Sequence, residues 1–114
     1  MKLWIDDVRP APEGYVWCKS VVDAQIKIEA AEWTNFFNHI PGSETPNYED
    51  IEIELIDIDH DAGDYACDGG DYIKLLDWLE ETGRNYPIRI HSMNPVGVAN
   101  MRAIIQRNGW KEIK

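Results

Sequence analysis

The sequence predicts an α/β domain on one doubly wound parallel sheet, and three observations carry that expectation. Short apolar runs alternate with helical patterns along the chain, the order that produces a parallel sheet. The run "IELIDI" (53–58) keeps Ile53, Leu55, Ile56 and Ile58 apolar with little alternation, as a strand covered on both faces requires. The chain has 114 residues, enough for one core and too few for two, so 1–114 reads as a single domain.

The elements follow in order. "MKLWI" (1–5) is a first strand that runs straight into Asp6-Asp7. "RPAPEG" (9–14) cannot be regular helix, because Pro10 and Pro12 remove donors and restrict their neighbours. "YVWCK" (15–19) is a second strand, and Ser20 with Asp23 three residues on resembles a capping box. The helix behind it carries Val22, Ile26, Ala30, Trp33 and Phe37 on one stripe, expected to face the core. "NHIPGSETPNYED" (38–50) is a loop rich in turn formers, and the acidic strand comes next.

Gly69-Gly70 introduces a second helix with Tyr72, Leu75, Leu76 and Leu79 on one face, closed by Gly83. "YPIRIHSMN" (86–94) supplies a fourth strand. Asn94-Pro95 starts a third helix, Asn as N-cap and Pro at N1, which buries Val98, Met101 and Ile105 and ends at Gly109. "WKEI" (110–113) is a last edge strand, and right-handed crossovers complete the winding.

Composition excludes several classes. With 44% hydrophobic residues, five Trp and five Tyr, the chain has the apolar content to fold. No apolar run reaches the ~18 residues of a membrane span, and the N-terminus lacks a signal-peptide pattern, so no membrane partner is expected. Cys18 and Cys67 form no CxxC and read as free thiols of a reducing cytoplasm, with a disulfide between them as the alternative. A net charge of −10 argues against non-specific binding to a nucleic-acid backbone, but not against gripping one phosphate locally.

Open parallel sheets bind ligands outside the carboxyl ends of their strands. Here those ends carry Asp6-Asp7, then Asp59-His60-Asp61, then His91-Ser92, so the reactive side chains converge on one edge. Two carboxylates ~4 Å apart repel by ~4 kcal/mol at an effective dielectric of ~20. A structural strand end would not collect them, so a cation, shared protons or the nearby Arg9, His60 and His91 must offset the charge.

The order β-α-β, with Asp6-Asp7, Asp59 and Ser92 at successive strand ends, resembles response-regulator receiver domains, whose receiver/flavodoxin-like strand order is 2-1-3-4-5. Two features depart from that family: the first helix is reduced to the proline loop 9–14, and no lysine stands clearly after a fifth strand. The segments "LWIDDVRPAP", "DIDHDAG" and "IRIHSMNP" instead resemble the divergent cyclic-phosphate-processing receiver domains over nearly the whole chain. The resemblance implies a phosphoesterase acting on a cyclic phosphate, either a nucleic-acid 2′,3′-cyclic end or a cyclic nucleotide. It marks Asp6, Asp7, Arg9, Asp59, His60, Asp61, His91, Ser92 and Asn94.

Each marked residue has a chemical reading and a plain one. Opening a cyclic diester needs a base for water and an acid for the leaving oxygen, and His60 and His91 suit both roles; otherwise each caps a strand end. Asp6, Asp7 and Asp59 could hold Mg²⁺, a hard cation that takes oxygen ligands, or Asp6-Asp7 could simply cap a turn. Arg9 either forks onto phosphate or pairs with Asp6 or Asp7. Ser92 and Asn94 flank a helix N-terminus that favours an anion, and Asn94 is equally an N-cap. Asp61 supports His60 or is solvated, Asp57 lies one strand period inward as buried structure, and the Trp residues read as core. The alternative class is a catalytically silent receiver-like module that binds a partner protein or sequesters a nucleotide.

Overall fold

A computed structural model describes residues 1–42 and 49–114; residues 43–48 of the loop expected at 38–50 lie outside the described residues. Strands β1 (Lys2–Ile5), β2 (Tyr15–Cys18), β3 (Leu55–Ile58) and β4 (Ile88–Ile90) form one parallel sheet in the order β2-β1-β3-β4. Helix α1 (Val21–Asn38) joins β2 to β3, α2 (Ile73–Glu81) joins β3 to β4, and α3 (Pro95–Asn108) follows β4. A short 3₁₀ helix, Gly63–Cys67, lies between β3 and α2.

The expected fifth strand at 110–113 contracts to one parallel bridge between Ile88 and Glu112. Trp110 is buried and its N–H bonds the α3 carbonyl of Ile105, while Glu112 turns its carboxylate to Arg102. Among the described residues the sheet therefore has four strands in the order 2-1-3-4 rather than five.

Capping follows the sequence. Ser20 Oγ accepts the Asp23 N–H at 3.0 Å, Asn94 Oδ1 accepts the Gly97 N–H at 3.0 Å, and Gly109 ends α3 with φ of 67°. Each such N-cap contributes about 1 kcal/mol. Tyr72, Leu75, Leu76 and Leu79 are all fully buried, as their spacing requires. In α3, Met101 and Ile105 are buried with Ile104, and Val98 is only half-buried.

Helix α1 overturns its expectation. The face it buries is Val21, Ala24, Ile28 and Ala31, while Ile26, Trp33 and Phe37 of the expected stripe are 57%, 56% and 52% exposed. Two apolar stripes share this helix, and the one with two alanines allows the closer approach to the sheet.

The strand residues that join the core are Leu3, Ile5, Cys18, Ile56, Ile58 and Ile88, all on one face of the pleat, and the helices' buried residues pack with them. The opposite face carries Trp17, Trp4, Asp57 and Arg89 side by side across β2, β1, β3 and β4. The connection from β1 to β2 is the proline loop, so where a helix would otherwise lie there is only that loop, pinned by the Trp4 indole N–H to the Arg9 carbonyl at 2.9 Å. No described helix is long and apolar enough to cross a membrane. Cys18 is buried, Cys67 is exposed, and both are free thiols.

Candidate functional site

The carboxyl edge of the sheet holds two clusters. The first is centred on His91, just past β4. Its Nδ1 meets Asp57 Oδ1 at 2.7 Å and its Nε2 meets Asp6 Oδ2 at 2.9 Å. With both carboxylates ionised, each bond needs a proton on its ring nitrogen, so the pair of acids favours the imidazolium form. Burial opposes that charge, but the hydrogen bonds to Asp57 and Asp6 outweigh it and raise the His91 pKa above the ordinary histidine value. Trp4 stacks flat on the ring, centroids 3.9 Å apart and planes 4° from parallel.

Asp6 is fully buried and fully engaged. Its Oδ1 accepts the Val8 and Arg9 N–H groups at 3.0 and 2.9 Å while Oδ2 holds His91. Burial pushes its pKa up, but those donors together bring it below the usual carboxylate value. Asp7 shows the reverse: burial and then the charges of Asp6 and Asp59 hold its carboxyl above the usual range. Its Oδ2 lies over Gly63, where a Cβ would approach it to 2.5 Å.

One oxygen each of Asp6 and Asp59 and one nitrogen of His91 lie within 4.8 Å of one another, a grouping that could hold a metal ion. The sequence expected Asp6, Asp7 and Asp59 in that role; Asp7 stands outside this trio and bears on it by charge. A protonated imidazole is no ligand. The oxygens therefore fit a hard cation better than the ring does, and Asp7 and Asp59 carry the charge least relieved by hydrogen bonds.

The second cluster is His60. Its Nδ1 meets Asp61 Oδ1 at 2.8 Å, its side chain is 16% exposed, and its Nε2 has no hydrogen-bond partner among the described residues. Its peptide N–H bonds Asp59 Oδ1 at 2.7 Å. The ring lies against Gly97 in the first turn of α3, where a Cβ would meet ring carbons at 2.4 and 2.5 Å. Only glycine leaves room for the imidazole there. No hydrogen bond or ring contact joins His60 to His91 among the described residues, so the edge brings the two histidines into neighbouring clusters and not into one.

Arg9 forms no ion pair with Asp6 or Asp7; its guanidinium is exposed and reaches the His91 carbonyl at 3.4 Å. Ser92 Oγ accepts the Asn94 N–H at 3.1 Å and Asn94 caps Gly97, so both polar side chains serve the α3 start. With Pro95 lacking an N–H, this helix end keeps few free donors for an anion.

Three contributors escape sequence reasoning. Trp4, expected in the core, packs on His91; Asp57, expected as buried structure, orients His91; and Gly97 carries no sequence signal of its role. For Asp57 and Trp4 the signal lies in strand parity, since both share the pleat face of Asp6 and Asp59.

The sequence model of a family described as Cyclic-phosphate processing Receiver domain matches residues 1–107. No curated protein and no solved structure matches the chain.

Proposed function

Because the chain belongs to the cyclic-phosphate processing receiver domain family, we propose that it is a phosphoesterase that opens a cyclic phosphate at the carboxyl edge of the sheet. The observation that carries this reading is the His91 imidazolium held between Asp57 and Asp6. A ring whose protonated form is favoured by two carboxylates is suited to be the general acid. Asp57 orients the ring from Nδ1, and Nε2, turned to Asp6, gives its proton to the leaving ribose oxygen.

His60 is the base in this scheme. Asp61 fixes its Nδ1, which leaves Nε2 to take a proton from water. Water adds to phosphorus, one P–O bond of the ring breaks, and the product is a phosphomonoester with a free hydroxyl. Arg9, with no carboxylate partner among the described residues, offers its guanidinium to the phosphate oxygens. Ser92 and Asn94 act mainly by setting the α3 start beneath His60.

Asp7 and Asp59, with Asp6 beside them, would hold Mg²⁺; the cation would relieve their mutual repulsion and offset phosphate charge. The test uses a nucleoside 2′,3′-cyclic phosphate. His91→Asn and His60→Ala should each lower turnover on the order of 10²-fold or more with the circular dichroism spectrum preserved. Unchanged turnover in both variants would overturn the scheme.

One observation favours the second reading, a silent module that binds without turnover. Asp6, His91, Ser92 and Asn94 all have their hydrogen bonds satisfied internally. Ligand bound tightly with no product formed would support it.

A further inference from the structure

Helix α1 carries a second apolar stripe that no other element covers among the described residues. Ile26, Ala30, Trp33 and Phe37 are all exposed, the three large ones at 57%, 56% and 52%, and they recur at steps of four, three and four residues. That is the a/d spacing of a seam that meets another helix. Phe36 flanks the seam, also exposed, and its ring packs on Trp33 and Phe37 with centroids 5.6 and 5.8 Å apart. Beside these rings lies a groove of about 340 Å³ lined by Glu29, Glu32, Trp33, Phe36 and Arg84. The flanking charges nearly cancel: Lys27 bonds Asp23 at 3.3 Å, Arg84 forks onto Glu32, and Glu29 lies in the field of the same guanidinium. This end of α1 sits towards the amino edge of the sheet, where Asn35 holds the Ile51 backbone, away from the site at the carboxyl edge.

We propose that this seam is the interface of a homodimer, with α1 packed antiparallel on α1 of a second copy about a two-fold axis. The inference is independent of the function proposed above. The seam is complementary to itself. Antiparallel pairing sets each a position against a d position, so Trp33 enters the hollow over Ala30 of the second copy, and Ile26 meets Phe37. The two-fold axis makes each contact twice. A parallel pair would set Trp33 on Trp33 and Ala30 on Ala30, one layer overfilled and the next empty, which costs stability. In the antiparallel pair Lys27 faces Thr34 and Glu29 faces Phe36 of the second copy, so no like charges oppose, and that phenylalanine lies over the groove. The area also fits. At these exposures Ile26 and the three rings leave roughly 400 Å² of apolar surface per copy, taking ~150–250 Å² for a whole ring, and a patch of that size marks an interaction site. With their polar flanks, two copies would bury about 1,200 Å², the lower end of specific interfaces, so the dimer is weak. A nearly neutral patch on a chain of net charge −10 does not call for a charged partner, and the repulsion left between two copies is long-range and screened by salt.

Sedimentation velocity of the whole chain tests this, from about 5 to about 500 µM to bracket an interface of that area, in low and in high NaCl. We expect a reversible monomer–dimer equilibrium that tightens as NaCl rises. Ala30→Trp adds apolar area but fills the hollow, and should weaken the dimer about tenfold or more. Ala30→Trp/Trp33→Ala exchanges knob and hollow, and should return the dissociation constant to within about threefold of wild type. Both positions are exposed on the helix, and circular dichroism checks that the variants fold. A wild-type protein that stays monomeric across the range would overturn the proposal, whether the seam is covered from within the chain or left for another protein. So would an Ala30→Trp dimer tighter than wild type with no recovery in the exchanged variant, which is indiscriminate apolar adhesion. A dimer that NaCl dissolves would overturn it too, because charged groups elsewhere would then hold the copies together.

Discussion

At the scale of single residues, the proposed site rests on two histidines held in different ways. His91 is clamped by carboxylates at both nitrogens, and His60 is held by Asp61 on one side and by the absence of a side chain at Gly97. Gly97→Ala should force the imidazole away, since its Cβ would come within 2.4 Å of the ring. Turnover in that variant should fall towards the His60→Ala level while His91 keeps its partners; activity near wild type would show that the His60 position is not critical. The histidines and most of the acids are legible in the sequence because reactive residues at strand ends must lie on one edge. Gly97 is not, because it touches His60 only through a loop-to-helix contact that no local spacing encodes. Ser92 and Asn94 are legible as a helix start, and that is the role their hydrogen bonds fill.

At the scale of elements, strands and helix starts are more legible than helix faces. The α2 face is unambiguous because its leucines form one stripe, whereas α1 has two apolar stripes and the sheet takes the one with small residues. Trp33 and Phe37 of the other stripe remain exposed and packed on one another and on the neighbouring Phe36. Beyond its buried face, α1 is tied to the rest by Glu32, which takes a forked pair of bonds from Arg84 at 2.8 and 3.0 Å and another from the Tyr86 hydroxyl. Arg84 also lies over the Trp78 ring at 4.2 Å. Burial opposes the charge on Glu32, but Arg84 and Tyr86 bring its pKa below the usual value. A depressed carboxyl pKa adds stability that is present above the unfolded value near pH 4.5 and lost as pH falls through the folded value. Glu32→Gln should therefore cost about 1–2 kcal/mol at pH 7, with the gap closing below about pH 4 in urea titrations. A gap that stays constant with pH would mean the charge contributes nothing.

At the scale of the whole molecule, the single bare face of the parallel sheet is set by the proline loop, which Pro10 and Pro12 make readable from sequence. The charge balance is readable only in part, because pairing depends on which acids share a pleat face. One imidazolium faces Asp6 and Asp57, which leaves Asp7 and Asp59 uncompensated. Mg²⁺ should raise the melting temperature, and Asp7→Asn should weaken that response. Since the Asp7 pKa is raised, its ionised form is disfavoured in the fold; the variant should stabilise the metal-free protein at pH 7, by less than about 1 kcal/mol at so accessible a position. A melting curve indifferent to millimolar Mg²⁺ would leave the acids as partners of the histidines only. The central claim is that this edge opens a cyclic phosphate, and phosphorus NMR of a nucleoside 2′,3′-cyclic phosphate incubated with the protein tests it most directly. The predicted result is loss of the cyclic resonance and growth of a phosphomonoester resonance, abolished in His91→Asn. A cyclic resonance that persists unchanged with the wild-type protein, with and without Mg²⁺, would contradict it.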